Sequence, residues 1–170
     1  AHLAMMEGLV DRGLGLSDVQ RGAVSGQGSA TEVALATESA SARGCFSSCD
    51  CLIAAPQPVK GTFVMIEVPG EGAALIREFA IPTLQWRSWI GGESVSIAGS
   101  GRYRVGGEIA RLQQLELDLR VGSLPEQHFD SGLVLGVGKF PKLDVCISVN
   151  GGYCFDTVID VIVQPNVSWF

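Results

Sequence analysis

No uninterrupted apolar run in this 170-residue chain approaches the roughly 20 residues that a helix needs to cross a bilayer. The start, Ala1-His2-Leu3, is not a basic stretch leading into an apolar core and a small-residue cleavage site, so it does not read as a signal peptide. The expectation is a soluble protein or a piece of one, and the missing initiator Met fits a fragment or a processed chain. Positive charge is also scarce. The 12 Lys and Arg against 18 Asp and Glu leave a net charge of −6, which excludes a chain-wide basic footprint for nucleic acid but not a local basic patch. Charged residues are only 18% and hydrophobic ones 46%, a globular balance that argues against disorder. There is no internal repeat and no low-complexity tract. The length suits one domain with a real core, and the 22 glycines point to many turns.

The signatures of common enzyme classes are missing as well. A Gly-x-Ser-x-Gly elbow occurs nowhere, so a serine hydrolase of that type has no nucleophile. His128 and Asp130 fall in a segment read as an exposed loop. Gly26-Gln27-Gly28-Ser29 precedes a predicted helix, and helix N-termini attract anions. No strand is predicted before it and no Lys lies nearby, and the third glycine of a dinucleotide fingerprint would fall at Thr31. A plain capping loop is the simpler reading. The cysteines are Cys45, Cys49, Cys51, Cys146 and Cys154. Their odd number, with no secretory signal, argues for reduced thiols rather than a disulfide framework. As zinc ligands their spacing is unfavourable. Cys49 and Cys51 are closer than a knuckle prefers, Cys146 and Cys154 are farther apart, and His2 is remote. No metal and no cofactor are therefore expected.

What is present divides into two periodicities. Leu3, Met6, Leu9 and Val10 recur at helical spacing up to the break at Gly13-Leu14-Gly15. Ser17 or Asp18 then caps a short turn, and Ser25 to Gly28 is a flexible loop. Ser29-Ala30-Thr31-Glu32 fits a capping box. Glu32 sits in the first turn and Arg43 in the last, with Gly44 as a stop. The spacing predicts a helix over Ser29–Arg43 whose face of Val33, Ala36 and Ala40 is small enough for close packing. Residues 45–61 read as an uncertain linker interrupted by Pro56 and Pro58.

From Thr62 the period is two. Thr62–Val68 is predicted as a strand, Ala73–Ala80 as a short helical turn, and Gly99-Ser100-Gly101 as the turn of a hairpin between Ser94–Ala98 and Arg102–Val105. Leu115, Leu117, Leu119 and Val121 alternate with Glu116, Asp118 and Arg120, the pattern of a half-buried strand with a solvated polar face. Leu143, Val145, Ile147 and Val149 repeat it, and Asn150-Gly151 is a hairpin signal returning into Tyr153–Val163. Trp86 and Trp89, with Arg87 between them, are candidates to stack on a ligand or a partner, core or interface aromatics being the simpler reading.

Over residues 11–43 the chain resembles bacteriophage portal proteins. The likeness is carried by Asp11-Arg12-Gly13-Leu14-Gly15-Leu16-Ser17-Asp18-Val19-Gln20-Arg21-Gly22, by Ser25-Gly26-Gln27-Gly28-Ser29-Ala30-Thr31-Glu32, and by the predicted helix through Ala42-Arg43. A looser likeness runs through Val64-Met65-Ile66-Glu67-Val68, Leu115–Val121 and Leu124-Pro125-Glu126. Portal chains are several times longer, and residues 127–170 match nothing in them. The resemblance implies a head-to-tail connector of the virion, present in the host cytoplasm during assembly. It implies a homo-oligomeric ring around the packaged double-stranded DNA, docked by terminase and by neck or tail proteins. Such a ring does not hydrolyse anything, and Arg12, Arg21 and Arg43 are its candidate DNA contacts.

The expected architecture is α+β: residues 1–44 helical, 45–61 a linker, 62–170 a mostly antiparallel β region. The expected function is that of a virion structural component without catalytic residues. A β-rich capsid, tail or other interaction or binding domain is the alternative, and an unrecognised enzyme comes third.

Overall fold

The computed structural model describes residues 29–47, 49–70 and 75–164, and every regular element among them is a β-strand. The strands are β1 (Ala30–Ala34), β2 (Ala40–Gly44), β3 (Gln57–Pro58), β4 (Lys60–Val68), β5 (Ile76–Ile90), β6 (Glu93–Gly106), β7 (Leu112–Val121), β8 (Gln127–Asp130), β9 (Val134–Leu135), β10 (Leu143–Ser148) and β11 (Asp156–Val163). They form one curled antiparallel sheet, a half-barrel, in the order β1-β4-β5-β6-β7-β8-β10-β11-β2-β3, with β9 added beside β7.

The α+β expectation is therefore corrected to an all-strand fold. The elements expected within residues 1–28 lie outside the described residues, and Ser29–Arg43 is strand, turn and strand. Its alanines favour a helix locally, but its backbone hydrogen bonds go elsewhere. Ala30–Ala34 pairs with Ile66 to Thr62 of β4, and Ala40–Gly44 pairs with Asp160 to Asp156 of β11. The strip thus runs along one neighbour and then crosses to the other. At the crossing, the Leu35 amide donates to the Gly61 carbonyl at 2.9 Å and the Ala36 amide to the Ile162 carbonyl at 2.7 Å. The buried Ser39 hydroxyl donates to the Ile162 carbonyl and accepts from the Ile162 amide, each at 3.1 Å. These bonds fill the gap in the ladder where the strip turns. The expected capping box does not form; the Ser29 carbonyl instead accepts from the Glu67 amide.

The meander from β4 to β11 follows the predicted alternation more closely. Phe63 and Met65, Leu115, Leu117 and Leu119, and Leu143, Val145 and Ile147 all point into one continuous core with Phe79, Tyr103, Phe129 and Val161. Two expectations within it are corrected. Ile76–Ala80 is strand rather than helical turn, because Phe79 packs inward against Tyr103 and Phe140. Gly99-Ser100-Gly101 is mid-strand rather than a turn. A side chain at Gly99 would collide with the Asp118 carbonyl, and one at Gly101 with the Glu116 carbonyl. These glycines permit close approach to β7, where Leu119 and Leu117 face them.

Pro82 sits inside the long β5, where a missing amide is normally excluded. The register slips there on both sides, between Ile81 and Leu84 against β6 and between Phe63 and Ile66 against β4, so the proline occupies a bulge. The sheet is thinnest between β8 and β10, which share the single pair Ser148–Asp130. Beside that gap the buried Gln113 side chain donates to the carbonyls of Leu135 and Asp144 and accepts from the Tyr103 hydroxyl, all at 3.1 Å. This tyrosine, pushed up to about 12 by burial, stays protonated as that donor.

Candidate functional site

Where β2, β5, β7, β8 and β11 end together, the half-barrel opens into a cleft of about 180 Å³. Its floor is the buried pair Ile97 and Ile159, and Val121 and Leu124 line its side. Its polar feature is a pair of hydroxyls, Ser41 Oγ of β2 and the buried Ser88 Oγ of β5, 3.0 Å apart. Strand alternation places Ser88 inside, two residues after the buried Trp86. Gln127 and Thr157 add further polar groups, and Arg43 is the one ionisable residue in the lining. The arrangement suits holding an apolar molecule with one polar group. It lacks the carboxylate, imidazole or thiol that acid–base or nucleophilic chemistry would need.

Residues 45–47 and 49–56 form a strap that carries Ala54 and Ala55 to the cleft. The Ala54 amide donates to the Arg43 carbonyl at 2.8 Å, and a side chain at Gly44 would lie 2.6 Å from the Leu52 carbonyl oxygen. Two disulfides fasten the strap: Cys45–Cys51 within it, and Cys49–Cys154 to the loop before β11. The expectation of reduced thiols is thus corrected. An odd count forbids complete pairing, not partial pairing, and Cys146 is the residue left free. Partial burial and then the neighbouring Asp160 carboxylate push the Cys146 thiol up to about 12, so it is a poor nucleophile at neutral pH.

The loop that brings Cys154 to the strap is held by Asp156. Its buried carboxylate accepts from the amides of Val149, Asn150, Gly152 and Thr157, at 2.7 Å for the last two. The turn expected at Asn150-Gly151 is present, with φ of 69° at Gly151 and 76° at Gly152.

The other residues singled out in the sequence lie away from the cleft or on its edge. His128 is on β8 rather than in a loop, exposed, with Nδ1 2.8 Å from an Asp118 carboxylate oxygen. Glu116 and Asp118 stand on the outer face, as the alternation predicts. Glu116 meets Arg102 at 2.6 Å and Arg104 at 3.1 Å, and its carboxyl is held below the ordinary value chiefly by Arg102. Asp130 accepts from Gln114 and from the Gly132 amide. These groups form a structural network on the sheet surface. Trp86 is core, edge-on to Phe63 with ring centres 5.6 Å apart, whereas Trp89 borders the cleft with Lys60 Nζ 5.7 Å from its ring centre. Arg87 is exposed. Arg12 and Arg21 lie outside the described residues. The Ser41–Ser88 pair had no signal in the sequence, because two serines 47 residues apart meet only through the fold. No family model, no curated protein and no solved structure matches the chain.

Proposed function

We propose that the chain is a non-catalytic binding module that holds a small apolar molecule in the mouth of its half-barrel. The observation that carries this reading is the Ser41–Ser88 hydroxyl pair set in a mostly apolar, strap-covered cleft. The volume, about 180 Å³, is close to that of engineered cavities that take up a single benzene ring. The ligand class is therefore a one-ring or short-chain molecule with one hydroxyl or carbonyl for the serines. Titration of the full chain with p-cresol by calorimetry tests it. Saturable binding that Ala55→Trp weakens at least about tenfold supports the reading. Absence of saturable binding, or equal binding by the variant, overturns it.

A second, compatible reading is attachment to other proteins, in a capsid, tail or portal-like assembly. It is favoured by the apolar end of the sheet at β9. There Leu112 pairs with the exposed Leu135, Leu133 is exposed beside them, and among the described strands β9 has only β7 as a neighbour. Free strand edges with apolar side chains recruit further strands. The portal form of this reading no longer has a helix at Ser29–Arg43 to build its ring. Light scattering tests the reading, an oligomeric mass supporting it and a 17.9 kDa monomer opposing it.

A further inference from the structure

We propose that Cys45, Cys49, Cys51 and Cys154 are a four-thiolate binding site for one Zn²⁺ when their disulfides are reduced. The inference does not rest on the ligand reading of the mouth. It starts from convergence. Residues separated by 105 positions are brought together, and the sulfurs of Cys45, Cys49 and Cys154 all lie within 4.8 Å of one another. The fourth sulfur, that of Cys51, is bonded to Cys45. Tetrahedral zinc with Zn–S bonds of about 2.3 Å needs sulfurs roughly 3.8 Å apart. Three of the four sulfurs thus already lie in one cluster, and Cys51, released from Cys45 on reduction, supplies the fourth.

The unfavourable sequence spacing has a structural answer. A knuckle places two ligands on one turn, whereas here the ligands come from two separate segments. Cys49 and Cys51 lie on successive tight turns, with the Cys49 amide donating to the Ser47 carbonyl at 2.7 Å and the Cys51 amide to the Cys49 carbonyl at 3.0 Å. Cys154 arrives from the loop that Asp156 fastens.

A second observation is a backbone donor that already faces one of the sulfurs. The amide of Phe155 donates to Cys45 Sγ at 3.4 Å. Phe155 adopts φ of 54°, in the left-handed region that residues other than glycine rarely occupy, and the residue is 85% exposed. In that conformation its amide faces the Cys45 sulfur. Amide donors to metal-bound thiolates are the outer-shell partners that stabilise such centres. Four sulfur donors without a carboxylate among them select a soft, tetrahedral cation.

Reduction and metal uptake balance as follows. A trialkylphosphine attacks each disulfide and the sulfur–sulfur bond breaks. The phosphorus is oxidised to phosphine oxide with oxygen from water, and the two protons of that water go to the two thiols. The four thiols then release four protons as they bind Zn²⁺, giving a centre of net charge −2. In a cell a dithiol would serve as the reductant, itself becoming a disulfide.

The test uses the full chain reduced with phosphine under argon and titrated with Co²⁺, then Zn²⁺. One Co²⁺ per chain, with the intense visible bands of tetrahedral thiolate coordination and displacement by Zn²⁺, is the expected result. Cys154→Ser weakens binding by at least about tenfold, and Cys146→Ser leaves it unchanged. Reduced chain unfolded in urea binds more weakly than folded chain, because the fold supplies the convergence. Circular dichroism on each variant separates loss of a ligand from loss of the fold. Failure of the reduced wild-type chain to take up stoichiometric Co²⁺ overturns the proposal without reference to any variant. So does a folded Cys154→Ser that binds as tightly as wild type.

Discussion

The meander from β4 to β11 and the strip from Ser29 to Gly44 belong to one sheet but reach it by different routes. In the meander, β5, β6 and β7 run 15, 14 and 10 residues, and their alternating large side chains specify which face is inside. In the strip the two strands are five residues each and small residues dominate. Only Val33 and Ser39 among them are fully buried. The strip is strand because β4 on one side and β11 on the other offer it unpaired backbone groups. One region thus imposes the sheet, and the other completes it.

Truncation sets the two regions against each other most directly. Leu117→Ala, at a site 1% exposed in the centre of β7, is expected to cost about 3 kcal/mol. Val33→Ala, the corresponding truncation in the strip, is expected to cost about 1 kcal/mol. Urea unfolding monitored by tryptophan fluorescence measures both. Equal losses would mean that the strip is as much part of the folding core as β7, and the contrast would fail.

A smaller effect than the Leu117 truncation probes the junction between the regions. Asp156→Ala removes the acceptor of four backbone amides and is expected to cost about 2 kcal/mol. Hydrogen exchange should show the loss concentrated at residues 149–157 and in the paired residues of β2. Protection lost uniformly across the sheet would show that Asp156 supports the whole fold rather than the seam.

The smallest effect concerns the outer face of the meander. Arg102 beside Glu116 lowers that carboxyl from 4.5, and Arg77 does the same for Glu67 beside β5. A carboxyl with a depressed folded value gives stability that is complete above its unfolded value. That stability drains as pH falls through the folded value. Melting temperature should therefore fall as pH drops below about 4.5, and Glu116→Gln should make that acid limb shallower. An unchanged slope in the variant would remove Glu116 from the cause. Because the arginine partners Arg102 and Arg77 are about half exposed, the change is expected to be modest and to shrink in salt.

Much of the meander was legible because its signal is local. Leu115 to Val121 alternates without a break, and any strand with that pattern has one apolar face. Gly99 and Gly101 misled, since a glycine that permits a turn and a glycine that permits close packing look alike in sequence. Ser29 to Arg43 misled for a related reason. Alanine, Ser and Glu satisfy a helix cap and helix propensity, and the competing hydrogen bonds lie on strands not adjacent in sequence. At the candidate site, Trp89 stands out in the sequence as an aromatic, whereas Ser41 and Ser88 carry no pattern. Five cysteines show that one must stay unpaired within the chain, but their partners are unreadable because pairing is a property of space.

By itself the sequence determined the alternating strands at 62–68, 115–121 and 143–147 and the turn at Asn150-Gly151, since each depends only on neighbours along the chain. Tertiary structure alone decided that residues 30–44 are strands, that Ser41 meets Ser88, and that four sulfurs converge beside the mouth. The physical reason is the same in each case. Small or polar side chains have weak local preferences, so they take the conformation that satisfies the open backbone groups and side chains brought to them by distant parts of the chain.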